Sequence, residues 1–142
     1  MTVVVGYLLS PEGDAALDVG IAEARLRGAE LVVMHSSRGG DAERDDDVVA
    51  YGAAGDRIQE CLEGKGIRFR LVEQVVGNAA AEDIVELALR ERAELVVIGV
   101  RRRSLVGKMV LGSTAQDVIM NAPCPVLAVR VPESPPDGEV AP

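Results

Sequence analysis

Positive charge and glycine gather in one stretch of an otherwise acidic chain. Ile98–Gln116 reads IGVRRRSLVGKMVLGSTAQ. It holds Arg101, Arg102, Arg103 and Lys108, the glycines Gly99, Gly107 and Gly112, and no carboxylate; the whole chain has 23 Asp and Glu against 15 Lys and Arg. The chemistry open to such a stretch is anion binding. A helix beginning near Gly112 would offer unpaired backbone N–H groups and a partial positive charge. Gly112 lets another group come close to the backbone, and Ser113 and Thr114 add hydroxyl donors. Phosphate is the usual anion at such a place. The plainer reading is a capped helix beside a solvated basic loop whose arginines pair with acids elsewhere.

Other sources of chemistry are sparse. A P-loop would need G-x-x-x-x-G-K-[ST], but Gly107-Lys108 is followed by Met109 and position 102 is Arg. There is no G-x-G-x-x-G and no G-x-S-x-G. The single histidine, His35, excludes a histidine-pair metal site and speaks against a hydrolase triad; it reads as a hydrogen-bonded structural residue. Cys61 and Cys124 are far apart without metal-ligand spacing and read as reduced thiols acting as small hydrophobes.

The elements that must position the basic stretch follow from periodicity. Five apolar runs read as strands: Val3–Leu8, Glu30–Ser36, Arg68–Val76, Glu94–Val100 and Pro125–Val131. Their Val-rich composition suits strands buried on both faces. Four stretches of helical period lie between them. The first, about Glu12–Arg27, puts Leu17, Ile21 and Ala24 on one face and stops at Gly28. The second, about Asp46–Glu63, carries Ile58, Cys61 and Leu62 and ends at Gly64. The third, about Ala80–Arg92, turns Ile84, Leu87 and Ala88 inward, with Glu82 and Asp83 at its positive end. The fourth follows Gly112. There Ser113-Thr114-Ala115-Gln116 fits a capping box, and Ala115, Val118, Ile119 and Ala122 form an apolar stripe ended by Pro123 and Pro125.

This alternation predicts an α/β fold: one domain with a parallel sheet covered by about four helices on both faces. With 142 residues, the chain can bury a core without disulfides or metal. The domain is expected over residues 1–132. The Pro-rich, acidic segment 133–142 has too few apolar groups to offset ordering and is expected to be disordered. No apolar run is long enough for a membrane span. The first residues have no basic region ahead of the apolar run, so a secretory leader is not expected and the cytoplasm is the default location. A formal net charge of −8 argues against general affinity for nucleic acid.

At these residues the sequence resembles the universal stress protein family. That family's signature is G-x2-G-x9-G-[ST] after a strand ending in I-G or M-G. Here it falls on Ile98-Gly99, position 102 and Gly112-Ser113. VVVGYLLSPEGDAAL, LVVMHS, VVGNAAAEDIVELA and NAPCPVLAVR resemble the family's other segments, so the likeness covers roughly Thr2 to Val131. The resemblance implies an open five-stranded parallel sheet in the order 3-2-1-4-5. It also implies that the chain either binds ATP or another adenine nucleotide, with Mg as a candidate companion, or belongs to the members that bind none. By the same resemblance Gly99, Gly112, Ser113 and Thr114 would hold phosphate, with Arg101, Arg102, Arg103 and Lys108 adding charge, and the base would lie near Gly6 and Ser36. Two positions depart from the pattern: its second glycine is Arg102, and the Asp that ends the first strand in many binders matches Leu8. The expectation is a variant nucleotide site.

Three functions follow in turn. The first is a regulatory nucleotide-binding module without fast catalysis. The second is a ligand-free interaction protein that forms a homodimer through the edge strand 125–131, as the resemblance suggests. The third is a phosphoryl-transfer or adenylate-forming enzyme; it would need a metal-binding carboxylate, and none lies between Glu94 and Asp117 in sequence.

Overall fold

β-branched residues favour a pleated, buried surface, and the chain places them in threes. Val3, Val4 and Val5 are fully buried. The computed structural model describes residues 1–8, 10–35, 55–74, 77–100 and 111–131. In chain order the elements are β1 (Thr2–Tyr7), α1 (Pro11–Arg27), β2 (Glu30–His35), α2 (helical over 55–62), β3 (Phe69–Glu73), α3 (Ala80–Arg90), β4 (Leu95–Val100), α4 (Ser113–Asn121) and β5 (Val126–Arg130). The five strands form one parallel sheet in the order β3-β2-β1-β4-β5. That is the order implied by the family resemblance.

Alternate residues of each strand feed two cores. Val3, Val5, Tyr7, Leu31, Val33 and Val97 face α1 and α2, meeting Leu17, Ile21, Ile58 and Leu62. Val4, Val32, Met34, Val96, Ile98 and Val100 face α3 and α4, meeting Ile84, Leu87, Ala115 and Val118. Each fully buried Val or Leu contributes about 1.5–3 kcal/mol relative to exposure.

Helix ends follow local rules. Ser10 caps α1 by accepting the Gly13 N–H at 3.0 Å, Pro11 occupies the first helical turn, and Gly28 ends the helix at φ 61°. The start expected for the second helix falls outside the described residues, as does the segment 133–142. Two expectations for α4 need correction. Gly112, with extended φ −66° and ψ 161°, is the residue before the helix, so Ser113 is its first helical residue and no side chain caps it. Gln116 instead donates from Nε2 to the Leu111 carbonyl at 3.2 Å. Ile119 is 41% exposed; it sits about 100° around the helix from Val118, and α4 packs by the narrower row Ala115, Val118 and Ala122.

Candidate functional site

In an open parallel sheet, ligands bind beyond the carboxyl ends of strands where the winding reverses. Here the reversal lies between β1 and β4, which pair in register from Val3↔Leu95 to Gly6↔Ile98. The starts of α1, α3 and α4 are described, and they differ. α1 is closed by Ser10 and carries Glu12 and Asp14 in its first turn. α3 has Glu82 and the buried Asp83 in its first turn, and Asp83 accepts a hydrogen bond from Asn78 Nδ2 at 3.0 Å. α4 has no side-chain cap and no acid in its first turn. Its first amides lack intrahelical partners as in any helix, Ser113 and Thr114 are exposed, and a side chain at Gly112 would meet no described atom within 4 Å. Among the described residues, the start of α4 is therefore donor-rich, without a neighbour at Gly112 and free of competing carboxylates from its own turn.

The other two glycines named from the sequence behave differently. A Cβ at Gly6 would lie 2.8 Å from Ile84 Cδ1, so this glycine lets α3 seat closely on β1. A Cβ at Gly99 would meet the Glu12 carbonyl of α1. By strand alternation Gly99 shares the face of Val97, the α1 side, while α4 packs on the face of Ile98 and Val100. Both glycines have their empty space filled by the chain itself, and what they present to a ligand is backbone. Leu8, just past β1, is 49% exposed. Ser36, Arg101, Arg102, Arg103 and Lys108 lie outside the described residues.

The structure brings together one polar group that sequence patterns do not reveal. The Tyr7 hydroxyl donates to Asp14 Oδ1 at 2.7 Å, and Arg57 donates to Asp14 Oδ2 at 3.0 Å. Burial first, and then the Asp14 carboxylate, hold the Tyr7 phenol well above its usual pKa, so it stays a donor. These residues come from β1, α1 and α2, and only the fold joins them. The readable fragment was Ser10-Pro11, which marks the helix start that carries Asp14. His35 is buried at the end of β2 between its register partners Tyr7 and Glu73, and a side chain at Gly55 would sit 3.6 Å from its ring. Burial lowers its pKa, opposed by Glu73. Cys61 and Cys124 are free thiols, half-buried, and burial raises the Cys124 pKa. Among the described residues, no three His, Cys, Asp or Glu are grouped to hold a metal ion, and no helix is long and apolar enough to cross a membrane.

The sequence pattern of the universal stress protein family matches residues 1–130. The chain belongs to the universal stress protein family. A universal stress protein of Mycolicibacterium smegmatis is 40% identical over 128 residues, covering 90% of this chain and 96% of that one. A universal stress protein structure from Archaeoglobus fulgidus superimposes with TM-score 0.76 at 33% identity, covering 90% of this chain and 97% of that chain. A universal stress protein from the same organism in complex with dAMP gives TM-score 0.69 at 29% identity, covering 90% and 96%. The start of α4 thus lies on the fold of this family, in the connection that leads from β4 to β5.

Proposed function

We propose that this universal stress protein is a regulatory module that binds an adenine nucleotide at the carboxyl ends of β1 and β4, with phosphate at the start of α4. The observation that carries the reading is the contrast between helix starts: α1 is capped by Ser10 and bears Glu12 and Asp14, and α3, itself without a side-chain cap, bears Glu82 and Asp83, whereas α4 has neither a side-chain cap nor an acid in its first turn, and no described atom lies where a Gly112 side chain would stand. A relative of 29% identity that was solved with dAMP supports an adenine nucleotide as the ligand class. Ser113, Thr114 and the backbone at Gly112 would hold phosphate, with Gly99 contributing backbone only. Arg101, Arg102, Arg103 and Lys108 are proposed to add charge, and Gly6 and Ser36 to border the base. ATP is the candidate of highest charge and would bring Mg with it. Fast turnover is not part of the proposal: the one histidine, His35, is buried on the α1–α2 side, away from the face that carries α4.

Titration calorimetry with ATP, AMP and cyclic AMP tests this. Gly112→Val places a branched side chain over the amides while its extended φ of −66° accommodates any residue. The variant should keep the parent's melting temperature and lose at least about tenfold in affinity, ~1.4 kcal/mol. Equal binding by parent and variant refutes the site. A parent that binds none of the three refutes the function.

One observation favours a second reading, a nucleotide-free homodimer in a cytoplasmic setting. β5 is an edge strand, and Ile119, Met120 and Val131 near it are exposed. Pairing through 125–131 would cover that edge.

A further inference from the structure

We infer that Gly99 is a positioning residue: through the Glu12 carbonyl packed against it, it ties the first turn of α1 to the end of β4, so that occupancy at the start of α4 is felt on the opposite face of the sheet. The inference rests on the proposed phosphate seat at α4. Its physical basis is a set of close contacts that leave the first turn of α1 little freedom. The space of a Gly99 side chain is taken by Glu12 backbone, with the carbonyl carbon 2.7 Å from where a Cβ would stand. The space of a Gly13 side chain is taken by the Leu8 carbonyl at the end of β1. The same turn is held by Ser10, whose Oγ accepts the Gly13 N–H and whose carbonyl accepts the Asp14 N–H, each at 3.0 Å. Asp14 then reaches Tyr7 of β1 and Arg57 of α2.

The other half of the route lies on the far face. Ile98 and Val100, the neighbours of Gly99, pack in one core with Ala115 and Val118 of α4. A ligand held by the first amides of α4 restrains that helix against Ile98 and Val100. Backbone continuity carries the restraint to Gly99. Because no side chain separates Gly99 from Glu12, the contact passes from backbone to backbone, with no rotamer to absorb a shift. Coupling of this kind is a free energy shared between two places and is shown only by measuring it at both.

Hydrogen exchange of the full chain, with and without saturating AMP or ATP, reads both places. In the parent, ligand should slow exchange several-fold at 111–120, also at 11–17 and, through the Asp14–Arg57 contact, at 55–62. In Gly99→Ala the added methyl must displace backbone, which can also weaken the site; with ligand raised until the variant is saturated, slowing should be seen at 111–120 but vanish at 11–17. Should Gly99→Ala fail to fold, Arg57→Met alters only an exposed side chain; ligand should then still slow exchange at 11–17 but no longer at 55–62, as it does in the parent. Slowing confined to 111–120 in the parent overturns this inference and leaves the phosphate seat standing, as does unchanged transmission in either variant. No slowing anywhere removes both.

Discussion

At the scale of single residues, a side chain's meaning here depends on which sheet face it occupies. Gly6, Gly99 and Gly112 are chemically identical, yet Gly6 seats Ile84, Gly99 seats the first turn of α1, and a side chain at Gly112 would meet none of the described residues. His35 shows the same dependence through its proton equilibrium. Burial holds its pKa below the ordinary 6.5 despite the nearby Glu73. Below pH 6.5 the unfolded chain therefore binds a proton that the folded chain resists. The neutral imidazole's contribution is full above the unfolded pKa and is lost as pH falls toward the folded one. Urea unfolding of the parent and of His35→Gln between pH 8 and pH 5 checks this. The parent should lose more stability over that range than the variant, and parallel pH profiles would show that His35 does not titrate as described.

At the scale of elements, the inward faces of the helices and the ends of α1 were readable, and the start of α4 was not. Ser10-Pro11 and Gly28 bracket α1 as the residue types require, and the described start and end match the expected span to within one residue. Because Gly28 lies at φ 61°, Gly28→Ala should cost about 1 kcal/mol, seen as a lower midpoint in thermal or urea melts. An unchanged midpoint would mean that the left-handed cap does not matter. At α4 the local pattern misled. Ser113-x-x-Gln116 has capping-box spacing, but the helix begins one residue earlier than that pattern needs, and Gln116 turns to Leu111 instead. The box fails because Gly112 already has the extended dihedrals of a cap, leaving Ser113 with helical ones. Those amides are accordingly without a side-chain cap.

At the scale of the molecule, the two cores account for cohesion, and the ion pairs lie outside them. Arg70 bridges Glu30 and Glu91 at 2.8 and 2.6 Å, and Arg57 pairs with Asp14, but the two arginines are about half exposed and their acid partners are not fully buried. Each such pair adds at most about 1 kcal/mol, less in salt. β3 and β5 form the sheet's edges, and β5 combines pairing groups with nearby apolar surface. If β5 pairs with a second copy, sedimentation at micromolar concentration should give a mass twice the 15.0 kDa of one chain. A single-chain mass at all concentrations would exclude that pairing.

Residue order alone specified the α/β class, five strands, the spans of α1, α3 and α4 to within a residue or two, and the place of greatest positive charge. These features depend on periodicity, capping chemistry and local composition, all carried by neighbours in sequence. The family signature, spread over almost the whole chain, also made the strand order legible. What had to wait for the folded chain was which atoms fill each glycine's empty space and which acid meets which base. Glu12 reaches Gly99, and Asp14 reaches Tyr7 and Arg57, because parallel crossovers bring together residues up to 87 positions apart. Spacing along the chain holds no record of such meetings, since they are fixed by how α1 settles across β1 and β4.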